Sequence, residues 1–179
     1  MTAAPVIWVL GLSASGKSAM AAHAVTFLTA LAPPDRVRRW QLLDGDQLRS
    51  FMGDELGYGL ADRRKSVKMV GLAAHLLSQN GIGVVVANIS PFADIREHIR
   101  KSVPGYVEVY CRCSLETCSR RDPKGHYRRF REGTMRDVVG LDIPFEEPSH
   151  PELVLDTERK DVAANAGEFE RFLKELMHV

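Results

Sequence analysis

What this chain lacks narrows its class. Only three of its 179 residues are cysteine, Cys111, Cys113 and Cys118, and an odd, sparse set does not build a disulfide framework. No paired Cys-x-x-Cys or histidine spacing surrounds them, so they suggest no metal site. Cys111 and Cys113 lie two apart in a strand-like segment and should point to one side of it as neutral, buried thiols. An excess of charge is also missing: 24 lysines and arginines face 23 aspartates and glutamates, leaving +1. Nothing therefore draws the whole chain to nucleic acid or an anionic membrane, and any anion must be recognised locally. No apolar run approaches the length that spans a bilayer. No basic stretch precedes the apolar run at 6–10, so no signal peptide is expected and a cytoplasmic location is. The six histidines are scattered and by default belong to surface or core. Without a repeat, low-complexity stretch or linker, residues 1–179 are expected to form a single domain.

What is present alternates. "VIWVL" (6–10) is a short continuous apolar run, as in a strand buried on both faces of a parallel sheet. Residues 17–31 read as a helix that Pro33-Pro34 stops. "RRWQLL" (38–43) is a second strand. Helical spacing in Val67, Val70, Leu72, Ala74 and Leu77 marks 62–79, and "IGVVVANI" (82–89) follows through Asn80-Gly81. Pro91 suits the first turn of a helix reaching about residue 101. "YVEVYCRC" (106–113) is a strand, "SLETCSRR" a capped helix, "ELVLDT" a late strand, and 161–177 a closing amphipathic helix. The fold class is α/β, a three-layer arrangement around a central parallel sheet.

"GLSASGKS" (11–18) sits between a strand and a helix, the context in which Gly-x-x-x-x-Gly-Lys-Ser makes a phosphate-binding loop. Gly11 and Gly16 permit backbone angles that a Cβ obstructs. The N–H groups of Leu12, Ser13, Ala14, Ser15 and their neighbours can then point into one concavity, and the helix N-terminus adds positive potential. Lys17 can reach β- and γ-phosphates, and Ser18 can offer its hydroxyl to Mg²⁺. The motif implies ATP or a related triphosphate. It does not name what receives the phosphate.

"LLDGDQLR" (42–49) ends the second strand, where open α/β sheets collect their ligands. Asp44 and Asp46 thus emerge near the phosphates. One could hold Mg²⁺ through water, the other could take a proton from an attacking hydroxyl, and Arg49 could fork onto an anionic acceptor. "DPKGHYRRFREG" (122–133), after Arg120-Arg121, is rich in cations. It reads as a lid over phosphates, spanning about 114–140 with its flanks. A nucleic-acid patch is disfavoured by few interleaved aromatics and the balanced net charge.

Together these segments resemble adenylyl-sulfate kinases, which phosphorylate the ribose 3′-hydroxyl of adenylyl sulfate with ATP. The likeness runs over residues 6–157 without a gap from 42 to 155, through "GLSASGKS", "LDGDQLR", "LGYGLADRR", "ISPF.DIR", "VEVYCRCSLETCSRRDPKGHYRR" and "PELVLDT". It implies a P-loop kinase fold with a lid, a homodimer, ATP and Mg²⁺ as cofactors, and a small nucleotide as acceptor. By position, Lys17, Asp44, Asp46 and Ser90 carry the catalytic roles, with Ser18 and Asp44 toward Mg²⁺. Arg121 belongs to the ATP side. Asp46, Arg49, Tyr58, Arg63, Ser66, Asn88, Ile89, Ser90, Lys124 and Val138 belong to the acceptor side. Ser90 has been discussed in the family as a phosphoserine intermediate; direct in-line transfer suffices chemically.

The departures gather at the acceptor site, while the ATP-site residues match. Ser66 stands where the family has asparagine, Asn88 where it has phenylalanine, Gln47 where it has a second asparagine, and its N-terminal arm is nearly absent. Val138 replaces a phenylalanine that stacks on the acceptor adenine; the opposite aromatic survives as Tyr58. Losing one stacking wall costs about 1–3 kcal/mol. Another nucleotide-like acceptor, such as cytidine diphosphoramidate, is therefore the alternative. A non-catalytic ATP-binding module would have lost loop or acids, yet Lys17, Ser18, Asp44 and Asp46 are all present.

Overall fold

Apolar along its whole length, Val6–Leu10 (β1) is fully buried at the centre of the sheet. The structure, a computed structural model, describes residues 3–31 and 39–178; the Pro33-Pro34 stop and Arg38, expected at the head of the second strand, lie outside them. Trp40–Asp44 (β2), Gly83–Ala87 (β3), Tyr106–Arg112 (β4) and Leu153–Asp156 (β5) complete a five-stranded sheet in the order β2-β3-β1-β4-β5, parallel throughout. Lys17–Leu31 (α1), Gly45–Met52 (α2), Leu60–Gln79 (α3), Ala93–Ser102 (α4), Leu115–Arg121 (α5), His126–Arg131 (α6) and Val162–Met177 (α7) lie between and after the strands. The three-layer α/β arrangement read from the sequence is thus present.

Strand alternation divides the core in two. Val6, Trp8, Leu10, Val84, Val86, Tyr106 and Tyr110 pack with Val67, Val70 and Ala74 of α3 and Ile95 and Ile99 of α4. Ile7, Val9, Val85, Ala87, Val109 and Cys111 pack with Met20, Ala21, Ala24 and Leu28 of α1 and Phe169 and Leu173 of α7. Period-two strands have this consequence whenever both faces are covered. Cys113 departs from the sequence reading. It packs in the α3–α4 cluster, opposite Cys111, because β4 ends at Arg112 and the alternation stops there. All three thiols are free and buried. Among the described residues, no group of three or more His, Cys, Asp or Glu could hold a metal, and no helix is long and apolar enough to cross a membrane.

One further boundary differs. Pro91 does not open a helix; α4 begins at Ala93, after Phe92 as N-cap. The Pro91 carbonyl accepts the Glu146 N–H at 2.9 Å and the Ala93 N–H goes to Glu146 Oε2 at 2.6 Å, so this short loop is pinned to 146 instead. The segment after Asp44 is a helix, α2. Asp44 caps it by accepting from the Asp46 N–H at 2.9 Å, the usual role of aspartate at that position.

Gly83 is required by packing. A Cβ there would lie 2.6–2.8 Å from atoms of the Trp40 ring on the neighbouring strand. Gly83→Ala is expected to cost about 1–3 kcal/mol, read as a lower urea midpoint at unchanged slope; an unmoved midpoint would mean that the Trp40 ring yields freely.

Candidate active site

The loop between β1 and α1 has the shape its sequence demands. Gly11 lies at φ +151°, Ala14 at +64° and Gly16 at +89°. A Cβ on Gly11 would stand 2.6 Å from both the Cys111 carbonyl oxygen and Ser15 Oγ, so the loop can lie this close to β4 only with glycine there. The Ser15 N–H closes a turn onto the Leu12 carbonyl at 3.2 Å, and Lys17 Nζ donates to that carbonyl at 3.2 Å. Lys17 is buried, and burial, helped by the Lys124 charge, pulls its ammonium below the ordinary lysine range. A desolvated cation with one neutral partner gains strongly from an anion placed beside it. Arg121 reaches the same neighbourhood through Thr157: its Nη2 donates to the Thr157 carbonyl at 2.6 Å, and Thr157 Oγ1 donates to the Ser15 carbonyl at 2.7 Å. Ser18 is exposed on the first turn of α1.

Beside the loop opens a cleft lined by Ser13, Lys17, Asp44, Asp46, Arg49, Tyr58, Arg63, Asn88, Ile89, Lys124 and His126, among others. It lies beyond the carboxyl ends of β1, β2 and β3, which the parallel order puts side by side. Lys124, from the turn between α5 and α6, makes a short ion pair with Asp46. Burial tends to raise the Asp46 pKa, but the Lys124 hydrogen bond and the charges of Lys124, Lys17 and His126 outweigh it and hold the carboxyl below its ordinary value. Arg49 donates to the Gly57 carbonyl and lies 4.6 Å from the centre of the Tyr58 ring. Arg63 gives Nη2 to the Asp137 carbonyl, but its Nε is buried with no partner among the described residues. Burial pushes its guanidinium down to about 10, still a cation at neutral pH. An unsatisfied buried donor at a cleft wall is costly unless a ligand completes it, and the chemistry it asks for is an acceptor oxygen.

Three of the sequence-derived acceptor residues do not line this cleft. Ser90 is fully buried; its hydroxyl accepts the Trp8 indole N–H at 2.9 Å, and its carbonyl accepts from Arg96 at 2.9 Å. Its φ of +46° makes it the strained corner after Asn88, whose side chain receives the Ser90 N–H at 3.1 Å. Ser90 thus shapes the segment that places Asn88 and Ile89. Ser66 and Val138 are 2% and 3% exposed and pack inward. The Asp142 carboxylate takes the Asp137 and Val138 N–H groups at 2.8 and 2.6 Å, folding 137–142 into a turn that tucks Val138 into the core. Sequence reading missed His126, assigned to surface or core with the other histidines, which lines the cleft with its ring against Tyr58. The signal was its place directly after the Lys124-Gly125 turn, where Gly125 at φ +67° starts α6.

Lys17→Met removes a cation that folding has already desolvated. The urea midpoint should stay or rise, because replacing a buried charge with an apolar group of similar size is often neutral or stabilising. Binding of a non-hydrolysable ATP analogue, measured by calorimetry, should weaken at least about tenfold. Undiminished binding would remove Lys17 from the phosphate site.

Comparison with known proteins agrees with this geometry. The family model described as adenylylsulphate kinase matches residues 3–156. The adenylyl-sulfate kinase of Geotalea uraniireducens is 39% identical over 171 residues, covering 94% of this chain and 80% of that protein; that of Bacillus licheniformis is 42% identical over 154 residues, covering 85% and 76%. The structure of the Mycobacterium tuberculosis APS kinase in complex with AMPPNP and APS superposes with a TM-score of 0.84 at 32% identity, over the full length of both chains. With a phosphate loop, an acidic turn and the cationic segment of Lys124 around one cleft, and with relatives matching across most of its length, the chain belongs to the adenylylsulphate kinase family.

Proposed function

We propose that this protein is an adenylyl-sulfate kinase that transfers the γ-phosphoryl group of ATP to the ribose 3′-hydroxyl of adenylyl sulfate. The observation that carries the reading is the cleft itself: Lys17 of the phosphate loop, Asp44 and Asp46, and the cations Arg49, Arg63 and Lys124 all line one space. The backbone of 11–18 binds the phosphates, and Lys17 meets the charge that builds on the transferring group. Arg121 lies on the adenine side of ATP. Arg49, Arg63 and Lys124 take the anionic tail of the acceptor; Tyr58, Asn88 and Ile89 form its walls.

The donor set suits Mg²⁺. That ion keeps several waters and takes one or two protein oxygens beside substrate phosphates, which Ser18 and Asp44 can supply without a dedicated cage. When bound, it neutralises charge on the β- and γ-phosphates. Asp44 has one oxygen fixed by the Asp46 N–H, so we assign the metal side to Asp44 and the hydroxyl side to Asp46. The 3′-oxygen attacks the γ-phosphorus as the bond to ADP breaks, and its proton passes to the Asp46 carboxylate. A carboxyl held below its ordinary pKa is a weak base, but a loose transition state asks little of the base. The buried, hydrogen-bonded Ser90 hydroxyl supports direct transfer with no enzyme-bound phosphate.

We further infer a single catalytic domain with residues 114–140 as its lid. A homodimer is supported by Leu72 and Leu76, one turn apart on α3 and 60% and 51% exposed. A cytoplasmic location is supported by three unpaired thiols.

ADP release coupled to adenylyl sulfate tests the assignment. Turnover of cytidine diphosphoramidate without turnover of adenylyl sulfate would replace the acceptor. Asp46→Asn should lower kcat about 10²–10⁴-fold, and in the native protein the acid limb belonging to Asp46 should fall below the ordinary carboxylate value of 3.8, because the ionised form persists until the proton outcompetes Lys124. Hydrogen exchange tests the lid: residues 120–133 should gain protection when ATP and acceptor bind, and equal protection in both states would make this segment a fixed part of the surface.

A further inference from the structure

The acceptor's second ring has to come from somewhere other than position 138. Val138 is enclosed in the α3–α4 core, and the Asp142 carboxylate that holds its N–H keeps it there. The cleft nevertheless contains two aromatic side chains. Tyr58 stands just before α3 and His126 opens α6, and both line the same space. Their ring centres are 6.5 Å apart with planes at 69°. A planar base between two rings needs about 3.5 Å on each side, roughly 7 Å in all, so a small outward step of α6 and a rotation of the rings would admit one. The polar groups that a nucleotide also needs are at hand: Lys124 is two residues before His126, and Arg49 packs on the Tyr58 ring.

We propose that His126 and Tyr58 together flank the base of the acceptor nucleotide, making His126 a specificity-determining residue for the acceptor. This rests on the kinase reading above, and it gives that reading an aromatic wall carried by the lid instead of by the 137–142 turn. The rings already meet in this structure, so a base would enter by moving α6, and recognition of the base and movement of α6 become one event. His126 is half-buried, and burial together with the Arg129 and Lys124 charges lowers its pKa, while Asp122 and Asp46 pull the other way. The lowered pKa favours the neutral ring, which suits a stacking surface beside Lys124.

The test is steady-state kinetics on wild type, His126→Ala, His126→Phe and His126→Gln, with ATP and adenylyl sulfate varied separately. Base stacking on an aromatic side chain is worth roughly tenfold or more in affinity. His126→Ala should therefore raise the KM for adenylyl sulfate about tenfold, leave the KM for ATP within about twofold, and change kcat much less than the acceptor KM. His126→Phe should recover most of the loss, and His126→Gln should not. An unchanged acceptor KM in His126→Ala, or recovery by glutamine equal to that by phenylalanine, would overturn the ring pair. A loss falling on kcat with a new pH dependence would overturn it in favour of proton transfer by His126. Wild-type turnover of adenylyl sulfate decides the kinase reading separately. Should turnover be absent, calorimetric binding of adenylyl sulfate to wild type and His126→Ala still decides the ring pair: weaker binding to the variant supports it, and equal or absent binding overturns it.

Discussion

One cation kept out of water governs this structure. Lys17 follows Gly16 directly, and the turn carries its ammonium inward, where among the described residues the Leu12 carbonyl is its hydrogen-bond partner. The fold bears the desolvation cost, which an anion placed beside the ammonium would relieve. The loop can hold this arrangement because it lies against β4 with no Cβ on Gly11 to separate them. Everything else in the site is placed relative to that fixed point: the acidic turn at the end of β2, Asn88 and Ile89 after β3, and α6, which Tyr127 ties back by donating its hydroxyl to the Ser13 carbonyl at 3.1 Å.

The sheet order supplies the convergence. With β1 in the middle and β3 and β4 beside it, the loops leaving β1, β2 and β3 open on one edge. The two halves of the core are not alike. The α1–α7 side is almost wholly aliphatic and aromatic. The α3–α4 side also encloses a polar network: Arg96 pairs with Glu108 at 3.8 Å, Tyr106 donates to Glu108 at 2.8 Å, and Arg96 and Trp8 both reach Ser90. Such a network is costly unless fully satisfied. Here its satisfaction holds a residue at positive φ, and that corner sets where Asn88 and Ile89 stand.

Much of this was legible in the sequence, for a physical reason. The phosphate loop and the Asp44–Asp46 turn are local: strand, turn and helix N-terminus follow one another in the chain, and residue type nearly dictates their geometry. Element types were legible too, since burial on both faces leaves continuous apolar runs. What failed depends on phase and on distant partners. Ser66 and Arg63 lie about one turn apart on one helix, but only the long Arg63 side chain lines the cleft, while the short Ser66 is buried. Position 138 is drawn inward by a carboxylate four residues later. Pro91 would suit a helix start had Glu146 not claimed its neighbours. His126 was passed over because a histidine carries no local sign of what it faces; only the folding of α6 over the cleft brings it to Tyr58.

The ion pair between Lys124 and Asp46 has a consequence for the idle molecule. ATP is abundant compared with most acceptors, and a kinase that binds it first must avoid spending it on water. On the roles proposed above, the ion pair engages the base and neutralises the cation meant for the acceptor. On those roles a water molecule beside bound ATP meets Asp46 already paired with Lys124, whereas an anionic nucleotide would draw Lys124 away and release Asp46 in the same movement. Lys124 would, on the proposed roles, act as a safety catch against futile hydrolysis, set by the protein's own charges and lifted by the acceptor.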